Sequence, residues 1–379
     1  MKICAIICEF NPFHNGHKYL LERASEISGC DAVVCVMSGC FTQRGEMCRT
    51  DKYLRAKHAV LCGADAVIEL PAPFAVAPAE IFAAGAAQCL KHVPAELSLA
   101  FGCERGQSGD FVSAAAILNE ESATFKEILA RNLDSGESFI KSRLAAFTAC
   151  GGDTQLLSSP NNILGVEYAR AFGKTRPDAK LLPVKRIGAG YCDCRLAGGY
   201  SSASGIRANA DSAAVKGEMP ECSYEDFINS KDNTELFERL AADNLYLCDK
   251  DNLKRVYGCT EGLENLLKNL VCENGYAEVV EKAASKRYSK SRIRRILCAN
   301  LLRLYADETE KFLNCRLAPK VLAVKKQKAA RILPLLSAEK EPDAETKKCL
   351  ELTSQAYALW QYLNKPLIFN NQNEKMILV

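Results

Sequence analysis

No uncharged apolar stretch of this 379-residue chain reaches the ~18 residues that a membrane span needs, so a membrane protein is not expected. The chain opens on a strand-like run and reaches Glu9, which does not fit a signal peptide; a cytoplasmic location is expected. Net charge is only +3, too little for the whole surface to seek a polyanion. No internal repeat and no low-complexity tract breaks the pattern. The spacing CxxC is absent, the nearest cysteines being Cys192 and Cys194, one residue apart, so a thiol-metal or dithiol motif finds no support. Histidine is scarce at four residues, and two of these, His14 and His17, flank one glycine.

Nineteen cysteines are present nonetheless. Disulfide frameworks belong to short secreted chains, whereas Cys4, Cys8, Cys35, Cys62 and Cys298 lie in apolar runs, where a free thiol packs as a small hydrophobe. With 48% hydrophobic and 25% charged residues the chain reads as globular, and its length favours two domains.

Short apolar runs at Ile3–Cys8, Ala32–Met37, Ala66–Leu70, Leu97–Phe101 and Lys180–Lys185 predict strands. Amphipathic stretches near Lys18–Ile27, Asp51–Cys62, Ala79–Lys91, Phe111–Leu118 and Glu137–Ala149 predict helices among them. Continuous apolar strands alternating with helices imply a parallel sheet covered on both faces. After Arg207 the pattern shifts: 209–221 reads as a linker, and helices dominate beyond it, near 235–242, 263–270, 277–284, 291–305 and 350–363. The expected fold class is α/β, a Rossmann-like doubly wound parallel sheet with a mainly α-helical C-terminal domain. The division falls at residues 1–210 and 211–379.

In such a sheet ligands bind beyond the carboxyl ends of the strands, and the unusual residues fall there. The first strand leads into Asn11-Pro12-Phe13-His14-Asn15-Gly16-His17. Gly16 lets a phosphate approach the backbone at a helix N-terminus, and two imidazoles can donate to phosphate oxygens as charge builds. Later strand ends carry Ser38 to Glu46, Glu69-Leu70-Pro71 and Phe101-Gly102-Cys103-Glu104. In SPNNILG, Asn161 or Asn162 could bond a base or ribose, although helix capping accounts for at least one of them. Lys185-Arg186 ends the fifth strand, and Ser201-Ser202-Ala203-Ser204-Gly205-Ile206-Arg207 forms a second anion cradle.

HNGH and SSASGIR resemble the HxGH and SSTxIR pair of adenylyl-transferring nucleotidyltransferases. The segments EFNPFHNGH, SGCFTQRGE, GADAVIELP, FGCE, SPNNILGVEYARA, KRIGAGY and SSASGIR, then TEGLENLL and SKSRIRRILCANLL, are similar in order to the bacterial tRNA(Met) cytidine acetate ligase family. Cys103 and Gly205 depart from that family's pattern. The resemblance implies an ATP-dependent ligase that joins acetate to ATP as acetyl-adenylate and acetylates N4 of the wobble cytidine of elongator tRNA(Met). It implies that Ile7 to Leu20 wrap ATP, including Cys8, Asn11, Pro12, Phe13, Asn15 and Gly16, with His14 and His17 on the phosphates as the catalytic pair. Gly102 would meet the adenosine, and Asn161 or Asn162 with Arg186 would hold the nucleotide. Ser202, Ser204 and Arg207 would hold the departing pyrophosphate. Acetate is already a nucleophile, so the first step needs positioning and charge neutralisation rather than a general base. Mg²⁺ is expected with ATP, although no carboxylate cluster forms a dedicated cage.

Between Lys282 and Arg303 there are eight Lys or Arg and no Asp or Glu. The apolar stripe Ile293, Leu297, Leu301 and Leu304 predicts a helix packed by one face with its basic side toward solvent. Lys286, Arg287, Lys290, Arg292, Arg294 and Arg295 are therefore the expected tRNA contacts, and Lys320, Lys325, Lys326, Lys328 and Arg331 form a second basic run. Arg287 to Ser291 also resembles the KMSKS loop of class I aminoacyl-tRNA synthetases, but SSASGIR already fills that place after the last strand. Two other readings compete. A small-molecule adenylyltransferase of the pantetheine-phosphate or nicotinate-mononucleotide kind leaves the basic half idle. A non-catalytic RNA-binding protein leaves the intact anion cradles without a purpose. No protein partner is inferred.

Overall fold

The computed structural model describes residues 1–137, 139–188, 195–285, 287–317, 320–337, 341–364 and 375–379. Its centre is a seven-stranded sheet: β1 (Lys2–Cys8), β2 (Ala32–Ser38), β3 (Ala66–Leu70), β4 (Glu96–Cys103), β5 (Lys180–Lys185), β6 (Val321–Val324) and β7 (Ile377–Leu378). The order is β5-β4-β1-β2-β3-β6-β7. The first five strands are parallel, and β6 joins the edge of β3 antiparallel, with β7 parallel to β6. The five expected strands stand within two residues of their sequence bounds. Their lack of alternation is explained by burial on both faces: every residue of β2 and β3 is buried.

The period of two along β1 divides the core. Cys4 and Ile6 face a layer that includes Leu21 and Ala24 of α1 (Asn15–Ser28). Phe237, Leu245, Leu267, Val280, Ile293 and Leu297 join the same layer, so the helices Thr234–Leu247, Leu263–Val271, Tyr276–Ala283 and Lys290–Leu301 share a core with the sheet. Ile3, Ala5 and Ile7 face the other layer, with Phe74, Phe82, Phe111 and Phe172. All described cysteines are free, and Cys4, Cys8, Cys35 and Cys298 are buried within the first layer.

Three features differ from the sequence reading. Residues 209–221 are more than a linker: a 3₁₀ turn, Ala213–Glu218, buries Val215 fully and Glu218 nearly so. The second basic run contains β6, whose apolar Val321, Leu322, Ala323 and Val324 are too short a signal beside their lysines to stand out. The last long helix, Ala344–Asn364, docks on the loops after β2: Trp360 Nε1 donates to Cys48 O at 2.6 Å and Tyr357 OH to Asp51 Oδ2 at 2.9 Å.

Candidate active site

β1 lies between β2, which leads to β3, and β4, which leads to β5, so the winding reverses between β1 and β4. An open α/β sheet offers its ligand crevice at that point, outside the carboxyl ends of the strands. A cleft opens there, walled by Ile7 and Cys8 of β1, Gly102 of β4 and Val184 of β5.

The histidines enter through α1. His14 is the N-cap: its Nδ1 accepts from the Gly16 N–H at 3.1 Å, and the His14 N–H donates to His17 Nδ1 at 3.3 Å. The pair thus forms a reciprocal capping box, a job usually done by Ser or Thr with Glu. The rings lie 3.7 Å apart between centroids, with Phe10 edge-on to His17 at 4.9 Å. Burial pushes His14 down to about 3, with the Arg186 and Arg207 charges acting the same way. His17 is lowered too, by burial first, then by His14 and Arg186. Both imidazoles are therefore neutral, and because each Nδ1 accepts a hydrogen bond, each proton sits on Nε2. Two neutral Nε2–H donors at a helix N-terminus suit an anionic ligand. A Cβ on Gly16 would fall 2.9 Å from the His14 ring, so glycine keeps that ring in place.

The second cradle is tied to the first. Ser202 caps the helix Ala203–Ala208 by accepting from Gly205 N–H at 3.0 Å. Buried Glu218 accepts from the Gly199 and Ser201 N–H groups, and Asn15 Nδ2 donates to Gly199 O and Gly217 O, both at 3.0 Å. Arg207 donates to Asn11 O at 2.6 Å and to Glu46 Oε2 at 2.7 Å. The loop after β2 is thereby bound to both cradles.

Of the residues expected on ATP, Ile7, Cys8, Asn11, His14, Gly16, His17 and Leu20 line the cleft. So do Gly102, Asn161, Arg186, Ser202, Ser204 and Arg207. Pro12, Phe13, Asn15 and Asn162 do not. Phe13 is fully buried against Phe10, and Asn15 spends its amide on the loop carbonyls. Asn162 is fully buried too: Oδ1 accepts from Glu104 N–H at 2.9 Å and Nδ2 donates to Arg105 O at 3.0 Å. Of the two asparagines it is Asn161 that lines the cleft, where its Nδ2 donates to Glu104 Oε1 at 2.6 Å. Gln43, Arg44 and Glu46, from the loop singled out after the second strand, also line the cleft, as do Glu9, Tyr168 and Tyr200, which were missed. Of these three Glu9 alone had a signal, as the first residue past an apolar run at a strand end.

The basic helix Lys290–Leu301 departs from expectation in orientation. Of its apolar stripe Ile293, Leu297 and Leu304 are buried and Leu301 partly so, but Arg292, Arg294 and Arg295 are half-buried rather than turned to solvent. Arg292 donates to Gly258 O at 2.7 Å and lies over the Tyr288 ring. Arg294 faces Glu46 at 3.6 Å, and Arg295 Nη1 donates to Gln43 O at 3.0 Å. Arg294 and Arg295 are drawn inward by the carboxylate and carbonyl of the loop after β2, and Arg292 by the Gly258 carbonyl. Arg287 and Lys290 are exposed, paired with Glu261 and Glu281, and neither lines the cleft. Lys286 lies outside the described residues. In the second run, Lys328 pairs with Asp65 at 2.9 Å, and burial pushes Lys320 down to about 8.

Strand order, switch-point cleft and histidine-capped helix together define a nucleotide-transferring α/β protein. A family model described as HIGH Nucleotidyl Transferase matches residues 1–375. The tRNA(Met) cytidine acetate ligase of Acetivibrio thermocellus is 38% identical over 320 residues, covering 80% of this chain and 77% of that protein. The tRNA(Met) cytidine acetate ligase of Caldanaerobacter subterraneus is 36% identical over 315 residues, covering 80% and 79%. The chain belongs to the tRNA(Met) cytidine acetate ligase family of HIGH nucleotidyl transferases. Crystal structures of Thermotoga maritima TmcAL, one apo and one bound with alpha-thio ATP, superpose with a TM-score of 0.89 at 27% identity and full coverage of both chains.

Proposed function

We propose that the protein activates acetate with ATP as acetyl-adenylate and transfers the acetyl group to N4 of the wobble cytidine of elongator tRNA(Met). The observation that carries this is the switch-point cleft, where two neutral histidines on α1 and the SSASGIR cradle converge on one site, joined by Arg207. His14 and His17 donate from Nε2 to the α-phosphate region as acetate attacks it. Gly102, Asn161 and Arg186 hold the nucleoside side, and Ser202, Ser204 and Arg207 the leaving pyrophosphate. Such donors cost no reorganisation when charge develops. Among the described residues no three of His, Cys, Asp and Glu are grouped to hold a metal, and Glu46 is already paired with Arg207. Mg²⁺ would enter with ATP and would help neutralise the phosphate charge.

Residues 1–210 supply adenylation and residues 211–379 the tRNA surface, a division of labour rather than of core. Arg287 and Lys290 meet RNA phosphates from solvent, and Lys286 belongs to the same basic run; Arg294 and Arg295 set the position of the helix against the cleft loop, and Arg292 ties it to Gly258. Incubation with ATP, labelled acetate and total tRNA, followed by nucleoside analysis, tests the reading. Label in N4-acetylcytidine of elongator tRNA(Met), with AMP and pyrophosphate released, is the expected result. Label in a small molecule, or in no nucleoside, refutes it.

A further inference from the structure

The transfer step needs a proton acceptor, because the attacking amine must lose a proton as its bond to the acetyl carbon forms. The cleft offers few. The two histidines already carry their protons on Nε2, with Nδ1 engaged, and burial opposes further protonation. Phenols and cations hold their protons at neutral pH. Two carboxylates line the cleft among the described residues, Glu9 and Glu46. Glu46 is a poor base, neutralised by Arg207 at 2.7 Å and Arg294 at 3.6 Å. Glu9 accepts from two neutral donors: its Oε1 takes the Gln43 N–H at 2.7 Å and Ser38 Oγ at 3.4 Å.

Position points the same way. Glu9 follows β1 directly and is partly exposed in the cleft, next to the histidine-capped turn. Gln43 connects it to the basic helix, since the Gln43 N–H binds Glu9 and the Gln43 carbonyl accepts from Arg295. An RNA base presented from the side of that helix meets Glu9 on the wall it must pass.

We propose that Glu9 is the general base of acetyl transfer, taking the N4 proton of the acceptor cytidine; this rests on the reading of the protein as a tRNA cytidine acetate ligase. The N4 lone pair attacks the acetyl carbonyl carbon of acetyl-adenylate and the C–N bond forms. The N4 proton passes to a Glu9 oxygen. Collapse breaks the C–O bond to the phosphate, AMP leaves with the electron pair, and Glu9 returns the proton to solvent. Burial raises Glu9 above the usual carboxylate range, the Gln43 N–H opposes this, and Glu46 adds to it. Arg44 and Arg207 lower it; Arg55 bonds the Glu9 backbone carbonyl from α2 (Lys52–Leu61), and the Cys8 and Cys48 thiols lie nearby. A base poised upward in this way removes a proton more readily than an ordinary glutamate.

Separating the half-reactions tests the proposal. Acetate-dependent ATP–pyrophosphate exchange reads adenylation without RNA, and single-turnover transfer from preformed acetyl-adenylate to tRNA reads the second step. Glu9→Gln keeps the shape and an acceptor for Gln43. It is expected to slow transfer by ~10² or more, the usual range for a general base, and by at least ten times more than it slows exchange. In the wild type the transfer rate falls as pH drops through the Glu9 value; Glu9→Gln abolishes that limb, and Glu9→Asp, still a carboxylate, keeps it. Equal losses in exchange and transfer, an unchanged pH limb in Glu9→Gln, or its absence in Glu9→Asp overturns the assignment while wild-type acetylation stands. If the wild type forms acetyl-adenylate but acetylates no RNA, the functional reading fails and takes this inference with it.

Discussion

Asn161→Ala and Asn162→Ala change neighbouring residues of one helix, yet their effects should separate cleanly. Asn162 is fully buried and holds the turn after β4 through Glu104 N–H and Arg105 O. Glu104 is half-buried, so losing its partner costs about 1–3 kcal/mol, whereas the Arg105 carbonyl belongs to an exposed residue and loses about 0.5–1.5 kcal/mol. The sum is about 1.5–4.5 kcal/mol. Unfolding entropy of about 2.1 cal/mol/K per residue, over a chain of this length, makes each kcal/mol worth slightly more than about 1 °C. Calorimetry of Asn162→Ala should show the melting temperature lowered by about 2–6 °C. Its exchange rate below the melting range should lose little. Asn161→Ala gives up a bond at the cleft wall, where water can replace it, and should keep its melting temperature within about 1 °C. Its KM for ATP in the exchange assay should rise roughly tenfold, about 1.4 kcal/mol, the worth of one hydrogen bond to a bound nucleotide. A raised KM in Asn162→Ala at an unchanged melting temperature would refute this division of roles.

His14 stays neutral down to about 3 in the fold, but an unfolded histidine protonates below ~6.5. Its folded value is lowered, so the stability it allows is present above ~6.5 and is lost as pH falls toward 3, at about 1.4 kcal/mol per unit. Urea melts at pH 7.5 and 5.5 should differ less in His14→Asn, which keeps a capping side chain, than in the wild type; an unchanged difference counts against the neutral imidazole. Reversing Arg287 and Lys290 to Glu should weaken tRNA binding and lower the slope of log affinity against log salt by roughly one unit per lost phosphate contact, and a wild-type slope would remove both residues from the RNA surface. Gly45→Ala meets two obstacles, a φ of +73° and a Cβ 2.5 Å from the Arg294 backbone. The helix backbone cannot give way, so the loop must move: we expect about 1–2 kcal/mol lost from the left-handed strain and a larger loss of acetyl transfer than of exchange.

Much of this was legible in the sequence where one physical signal dominated. The five parallel strands were plain because burial on both faces forces unbroken apolar runs, as in Ala32–Ser38. HNGH and SSASGIR stood out because His, Gly, Ser and Arg cluster there at strand ends, and residues of both line the cleft. What stayed hidden depends on partners far along the chain. Nothing near Asn162 announces that its amide will be consumed by residues 104 and 105, and nothing near Arg295 announces Gln43. β6 was lost among lysines because four apolar residues are too few to register, and its pairing with β3 spans some 250 residues. The basic helix shows the limit most clearly. Its periodicity identified the buried stripe, but periodicity cannot say whether an arginine beside that stripe meets water or a carbonyl.

The pairing of β6 with β3 also governs how the chain can be made. β3 holds the edge of the parallel sheet until residues 321–324 reach it, and those residues leave the ribosome late. Throughout most of synthesis the nascent sheet presents a bare, fully buried-type strand edge, the sort that templates pairing between chains. The same holds for any fragment ended near residue 210, which keeps every nucleotide-facing group described above and lacks both β6 and the C-terminal helices that complete the core layer of Cys4 and Ile6. Such a fragment should aggregate when expressed alone, and recover solubility when the remaining residues are supplied as a second polypeptide that completes the edge in trans.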